Sequence, residues 1–581
     1  MLKLIRYLKD FKKEVILGPL FKLTEAVLEL IVPLVMIKII DIGVKNQDPS
    51  YVLKMGGIML LLGVIGFACS LTCQRYAAIA SQGGGTAIRN AVFKHINTFS
   101  HAEVDRFGTP SLITRITNDV NQLQLAVAMF IRLVIRAPFL VIGSAVMALI
   151  LDLKLSIIFI VTTPVILLIL YLVMSRSVPF FRIIQKKLDK ISLITRENLG
   201  GTRVIRAFSK QEMEKDRFYR ASSDHTNMAI KVGKISALLN PLTYVTINLA
   251  IVAIIWYGGM RVEAGGMTQG QVIAYVNYMS QILLALVLIA NLVVIFTKAA
   301  ASAVRVNEVL DVKSTIVSSN ESGTITREHI DMPKIEFKDV SFSYGDATEY
   351  AIQDINIKIN KGETVGIIGA TGSGKSTIIN LIPRLYDVSK GEVLVDGKNV
   401  KDYILDDLRH KIGVVPQRAV LFSGTVDENI RWGAQDATDH DIKRALDIAQ
   451  ASEFVQDLAM KGNTKITQGG QNLSGGQKQR LTIARALVGK PDVLILDDSA
   501  SALDFRTDAA LRKALKEKTQ GSTVIIVSQR VSTIMDADKI IVLDNGLIKG
   551  IGSHAELNIS SDVYKEICLS QLSKDEVKNH A

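Results

Sequence analysis

Gly369-Ala370-Thr371-Gly372-Ser373-Gly374-Lys375-Ser376 follows directly on Thr364-Val365-Gly366-Ile367-Ile368 and leads into Thr377-Ile378-Ile379. A short apolar strand pattern, a glycine-rich loop of the form GxxxxGKS and an apolar helix pattern together make a phosphate-binding loop in the setting that motif requires. Glycines let backbone N–H groups wrap an anion, and the start of the following helix adds partial positive charge. Lys375 supplies a point charge to the β- and γ-phosphates, and Ser376 offers its hydroxyl to Mg²⁺.

Two further stretches belong with that loop. Val493-Leu494-Ile495-Leu496-Asp497 reads as a buried parallel strand ending in a carboxylate, the place from which a magnesium shell is held. Such an ending is weak evidence alone and strong beside a phosphate loop. Between the two lies Leu473-Ser474-Gly475-Gly476-Gln477, which opens a helical stretch through Lys478, Arg480, Ile483 and Leu487. Small residues at a helix start leave N–H groups free for an anion, although a Ser-Gly-Gly turn is more often only an N-cap.

The rest of the chain is of a different kind. Of its 581 residues 48% are hydrophobic and 21% charged, too apolar for a soluble enzyme and incompatible with disorder. Six stretches are long and apolar enough to cross about 30 Å of hydrocarbon, at 15–40, 53–72, 134–151, 155–173, 238–257 and 272–296. The first, carrying Glu25 and Glu29, is the weakest. The connections after the second and fourth spans run to about 60 residues each and hold most of the Lys and Arg, which puts them and both termini in the cytoplasm. Their helical periodicity predicts that the spans continue beyond the bilayer. The net charge of +12 therefore reflects membrane orientation, and nucleic acid is not an expected partner.

Within the spans, Glu25, Glu29, Arg132 and Arg136 form interhelical ion pairs or line a polar translocation cavity. Asn240, Asn248, Asn277, Gln281 and Asn291 could share that cavity or bond across helices. Cys69 and Cys73, one turn apart in an apolar run, are expected to pack rather than bind metal, and with Cys568 they form no disulfide framework.

The joint pattern resembles the ATP-binding-cassette family over nearly the whole chain. It looks like an exporter half-transporter: an α-helical six-span transmembrane domain (1–312), a linker (313–333) and an α/β P-loop nucleotide-binding domain with a helical signature subdomain (334–581). The resemblance implies ATP and Mg²⁺ as ligands, with Gly369, Thr371, Gly372, Ser373, Gly374, Lys375, Ser376 and Thr377 around the phosphates. Tyr344 matches the aromatic that stacks on adenine, with an ordinary core tyrosine as the alternative. Gln417 matches the residue that touches Mg²⁺ and senses the membrane domain, and Asp497 holds Mg²⁺ through water. Ser474, Gly475, Gly476 and Gln477 match the signature lent to a partner's site, and Ser501-Ala502-Leu503-Asp504 the D-loop. Residues 101–109 would sit near the first coupling helix.

Two positions depart from the family. Where a glutamate normally orients the attacking water stands Asp498, whose carboxylate is retracted by more than about 1 Å, a misplacement worth on the order of 10²-fold in rate. Where a switch histidine normally stands is Gln529, which can donate to a γ-phosphate but has no imidazole chemistry. Two changes on one phosphate resemble the degenerate-site subunit of heterodimeric bacterial multidrug exporters. The resemblance then implies a second half-transporter as partner and export of amphipathic small molecules or lipid-like solutes from a bacterial cytoplasmic membrane, in contact with membrane lipid. A homodimeric lipid or peptide exporter and a non-transporting ATP-gated regulator remain as alternatives.

Overall fold

The computed structural model describes residues 2–319, 332–345, 347–499, 502–519 and 521–571. It forms two units, one of Met1–Asn97 and Pro110–Val312, the other of Thr98–Thr109 and Lys313–Ala581. The short segment 98–109 thus groups with the second unit, although its neighbours on both sides belong to the first. Part of the expected linker, 320–331, lies outside the described residues.

The first unit is helical. Among the described residues five helices are long and apolar enough to cross a membrane: Pro49–Ile96, Thr109–Leu151, Ile157–Gly200, Gln211–Glu263 and Gln269–Asp311. The first expected span falls in the helix Lys12–Lys38, which Lys22, Glu25 and Glu29 make less apolar. At 48 residues Pro49–Ile96 is about 72 Å long, more than twice the hydrocarbon thickness. The long basic connections are largely continuations of the spans, as their periodicity predicts.

The surface of these helices is apolar. Leu60, Ile150, Tyr171 and Trp256 are all exposed, an arrangement suited to lipid as solvent. Two buried phenols are hydrogen-bonded across helices. Tyr278 Oη donates to the Leu30 carbonyl at 2.8 Å, and Tyr275 Oη lies 2.6 Å from the carbonyls of Ala148 and Asp152. These contacts tie Gln269–Asp311 to its neighbours through phenols whose rings fill the core.

Three of the four expected intramembrane charges, Glu25, Glu29 and Arg136, are in ion pairs. Arg136 donates to Glu29 at 2.7 Å, and Glu25 accepts from Lys22 at 2.7 and 2.8 Å. Gln281 bonds across helices to the Glu29 carbonyl and to Ser144, while Asn248 and Asn277 turn back onto their own helix carbonyls. Cys69 and Cys73 are buried free thiols, as is Cys568 in the second unit, and no group of three or more His, Cys, Asp or Glu placed to hold a metal occurs among the described residues.

The second unit contains twelve strands among the described residues. They are β1 (Ile335–Phe342), β2 (Ile352–Ile359), β3 (Thr364–Gly369), β4 (Lys390–Val395), β5 (Lys398–Asn399), β6 (Ile412–Val415), β7 (Gly424–Thr425), β8 (Lys465–Ile466), β9 (Val493–Asp497), β10 (Thr523–Val527), β11 (Lys539–Asp544) and β12 (Leu547–Gly552). An antiparallel sheet has the order β2-β1-β4-β5, and a six-stranded sheet the order β12-β11-β3-β10-β9-β6. In the latter all pairings are parallel except β11 with β12. The buried residues of β1 alternate as Ile335, Phe337, then Val340, Phe342. The slip in phase is a bulge between Phe337 and Val340, where Asp339 has φ 47° and exchanges hydrogen bonds with Asn356.

β3, β9 and β10 read as uninterrupted apolar runs because they lie inside the six-stranded sheet, buried on both faces. Adjacent and parallel, they deliver their following loops to one edge, where ligands of open α/β sheets bind.

Candidate functional site

That shared edge holds a cleft of ≈ 300 Å³ lined by Tyr344, Thr371, Gly372, Gly374, Lys375, Ser376, Thr377, Gln417, Asp497, Asp498 and Gln529, together with Ala351, Val527 and Ser528. Four strands of the six-stranded sheet supply most of it, and Tyr344 and Ala351 come from the connection between β1 and β2. The loop after β3 carries the phosphate-loop residues, the end of β9 Asp497 and Asp498, the loop after β10 Gln529, and the loop after β6 Gln417.

The loop after β3 has a backbone that only glycine tolerates at two points: Gly372 has φ +85° and Gly374 φ +97°. Gly369 and Ser373 lie beneath the cleft rather than on its wall. A Cβ on Gly369 would stand 2.1 Å from the Leu543 carbonyl oxygen, so the close approach of β3 and β11 is what requires glycine there.

Lys375 Nζ donates to the carbonyls of Gly369 and Ala370, each at 2.8 Å. Burial lowers its pKa, and the charges of Asp497 and Asp498 oppose that without reversing it. The cation is held by weak carbonyl partners at the mouth of an anion-shaped loop. Such a group gains from a phosphate.

Ser376 Oγ lies 3.3 Å from Asp497 Oδ2. Burial pushes the Asp497 carboxyl above its ordinary value; the hydrogen bond from Ser376 opposes the rise, and the neighbouring charge of Asp498 adds to it. A hydroxyl, a carboxylate and the Gln417 side chain converge here, an oxygen-rich set of the kind Mg²⁺ takes. A bound dication would return Asp497 toward full ionisation.

Asp498 has a left-handed backbone, φ +44°, and its N–H donates to the Val527 carbonyl at 2.9 Å. Its carboxylate accepts from Gln417 Nε2 at 3.3 Å. Gln529 is exposed and lines the same cleft.

Tyr344 stands at the opposite wall, its Oη 3.1 Å from Thr377 Oγ1. It is 40% exposed, too open for a core tyrosine and open enough to stack a planar ring. No motif marks its neighbour Tyr386, whose ring meets Tyr344 edge-on at 5.3 Å and Phe342 at 5.5 Å. Tyr386 Oη also donates to Asp105 at 2.7 Å, and its ring lies 5.9 Å from that of His101. The helix His101–Phe107 is thereby joined to the tyrosine of the nucleotide cleft. That helix is fixed by its own capping box, in which Ser100 and Glu103 pair, and Glu103 also accepts from the Thr315 N–H at 3.1 Å.

The signature residues do not line this cleft. Ser474 caps the helix Gly475–Val488 in a capping box with Gln477, and Ser474 and Gly475 face solvent. The bland N-cap role is therefore present, and it leaves the first turn of the helix open. Asp504 caps Phe505–Lys518, accepting from the Thr507 N–H at 3.1 Å, which holds its carboxyl below the usual range. Ser501 of the D-loop lies outside the described residues.

Comparison with known proteins agrees with this architecture. The profile described as "ABC transporter transmembrane region" matches residues 15–286, and that described as "ABC transporter" matches residues 352–501. An uncharacterized ABC transporter ATP-binding protein of Bacillus subtilis is 38% identical over 99% of both chains, and one from Mycobacterium tuberculosis 36% identical over 98% of both. An ATP-dependent lipid A-core flippase of Hahella chejuensis is 33% identical over 89% of this chain and 88% of its own. The structure of a bacterial Atm1-family ABC exporter with ATP bound superposes with a TM-score of 0.78, covering 97% of this chain and 99% of that one at 22% identity, which bears on the fold alone.

Proposed function

This chain belongs to the ABC transporter family as an exporter-type half-transporter, a membrane domain followed by one ATP-hydrolysing cassette, and from that premise we propose that it is the degenerate-site subunit of a heterodimeric exporter of amphipathic solutes. ATP and Mg²⁺ bind at the cleft around Lys375, Ser376 and Asp497, with adenine on Tyr344. Transporters of this family work as dimers in which each nucleotide lies between one chain's phosphate loop and the other's signature. The signature of this chain, Ser474 to Gln477, is intact and serves the partner's site. Its own site holds ATP and turns it over slowly.

One observation carries this reading: Asp498 and Gln529 line the same cleft as Lys375 and Asp497. Both departures therefore act on the same phosphate. The shortened carboxylate is also engaged by Gln417, which further draws it from a water-orienting role. A partner with Glu and His at the corresponding positions would supply the fast site. The basic connections support a cytoplasmic cassette and cytoplasmic termini.

The cargo is amphipathic, and the similarity to lipid A-core flippases favours a lipid-like member of that class. The assembly is tested by tagging the chain in its native membrane and identifying by mass spectrometry what purifies with it. A second, different half-transporter in equal amount is expected. Recovery of this polypeptide only, as a dimer, contradicts the proposal.

A further inference from the structure

The helix Asp562–Gln571 ends beside the loop that carries Gln529. Gln571 Nε2 donates to the Gln529 carbonyl at 2.7 Å, and Gln571 Oε1 accepts from the Val531 N–H at 2.9 Å. One planar amide thus pairs with a carbonyl and an N–H two residues apart, as an adjacent strand would. Ser528 is tied to the sheet by its N–H, which donates to the Ile367 carbonyl at 3.1 Å, and within the loop the Arg530 N–H donates to Ser528 Oγ at 2.9 Å. The helix is anchored in turn. Tyr564 and Cys568 are completely buried, and Tyr564 Oη is 2.7 Å from His554 Nδ1.

The consequence concerns direction. Gln529 is exposed, so packing does not hold its side chain; only the backbone on either side of it sets how the chain enters the cleft. The bonds of Ser528 and Arg530 use neither the Gln529 carbonyl nor the Val531 N–H, and those are the two groups Gln571 takes. Hydrogen-bond strength falls steeply with misalignment, so a small rotation there weakens any bond Gln529 makes.

We propose that Gln571 is a positioning residue for the nucleotide site. By clamping the backbone around Gln529, it aims that amide at the γ-phosphate and gives the site its preference for ATP over ADP. The inference rests on the proposed contact between Gln529 and the γ-phosphate, and is independent of which partner completes the dimer.

The test measures binding of MgATP and MgADP to the full-length chain in detergent. Gln571→Met keeps the length of the side chain and loses both bonds. It is expected to lower the ratio of ATP to ADP affinity about 5- to 10-fold, part of the more than about 10-fold that a hydrogen bond to a charged group is worth, with ADP affinity unchanged. Gln571→Glu still accepts from Val531 but cannot donate to the Gln529 carbonyl, and its ratio falls between. Gln529→Ala loses the preference, and adding Gln571→Met to it causes no further loss, since the two act through one contact. Gln571→Asn, shorter by a methylene, provides the same readout should the Met variant not fold. A lower melting temperature with the ratio intact in the Gln571 variants overturns the inference and leaves Gln571 a structural anchor. An unchanged ratio in Gln529→Ala overturns the premise about Gln529 and the inference with it.

Discussion

Asp498 and Gln529 are each close in size to the residues they replace, and the chemistry they lose is specific. An aspartate one methylene short of glutamate still carries its charge but cannot reach the same water, and an amide in place of imidazole still donates but does not exchange its proton. Restoring both should therefore restore rate without changing affinity much. Asp498→Glu combined with Gln529→His is expected to raise turnover at the site built on Lys375 by on the order of 10-fold or more, read in an assembly whose other site is disabled. Unchanged turnover would mean that these two residues do not limit the chemistry. At this level the sequence was informative, because phosphate binding needs a contiguous motif and each departure is visible against it. Tyr386 and Gln571 were not legible for the opposite reason. Each touches a cleft residue some forty positions away along the chain, and no local pattern marks such long-range contacts in advance.

Strands and helices were legible to the extent that burial follows one period. β3, β9 and β10 stand out as apolar runs, and β1 as two alternating halves whose mismatch is the bulge at Asp339. The helix Lys12–Lys38 is weak by hydropathy because it carries Lys22, Glu25 and Glu29, charges that the fold pairs internally or with Arg136. The helix His101–Phe107, seven residues with no apolar stripe, is not marked by periodicity; only the family resemblance points to a coupling helix near 101–109, and the helix itself is defined by its capping box and by what it touches. Tyr386 joins it to Tyr344 through two separable contacts, a phenol hydrogen bond to Asp105 and an aromatic edge. Tyr386→Ala should weaken ATP binding by several-fold because Tyr344 loses lateral support, an aromatic contact being worth about 1 kcal/mol. Tyr386→Phe, which keeps the ring, should leave ATP affinity near its original value. Titration with a fluorescent ATP analogue distinguishes the two, and equal affinities in all three proteins would remove Tyr386 from the description of the cleft.

For the molecule as a whole, the division between an apolar helical unit and an ordinary α/β unit follows from composition, because lipid and water demand opposite surfaces. What composition does not contain is the identity of the second subunit. A dimer of this chain would place two sites with Asp498 and Gln529 on every complex, and both would be slow. A heterodimer would place one such site beside a competent one, with the intact signature of this chain completing the competent site. The two assemblies differ most in one quantity, the rate of ATP hydrolysis by this polypeptide alone, purified and reconstituted in lipid. The account predicts that it binds ATP yet shows only slow, non-cooperative turnover until a different half-transporter is supplied. Rapid, cooperative hydrolysis by the single polypeptide would contradict it.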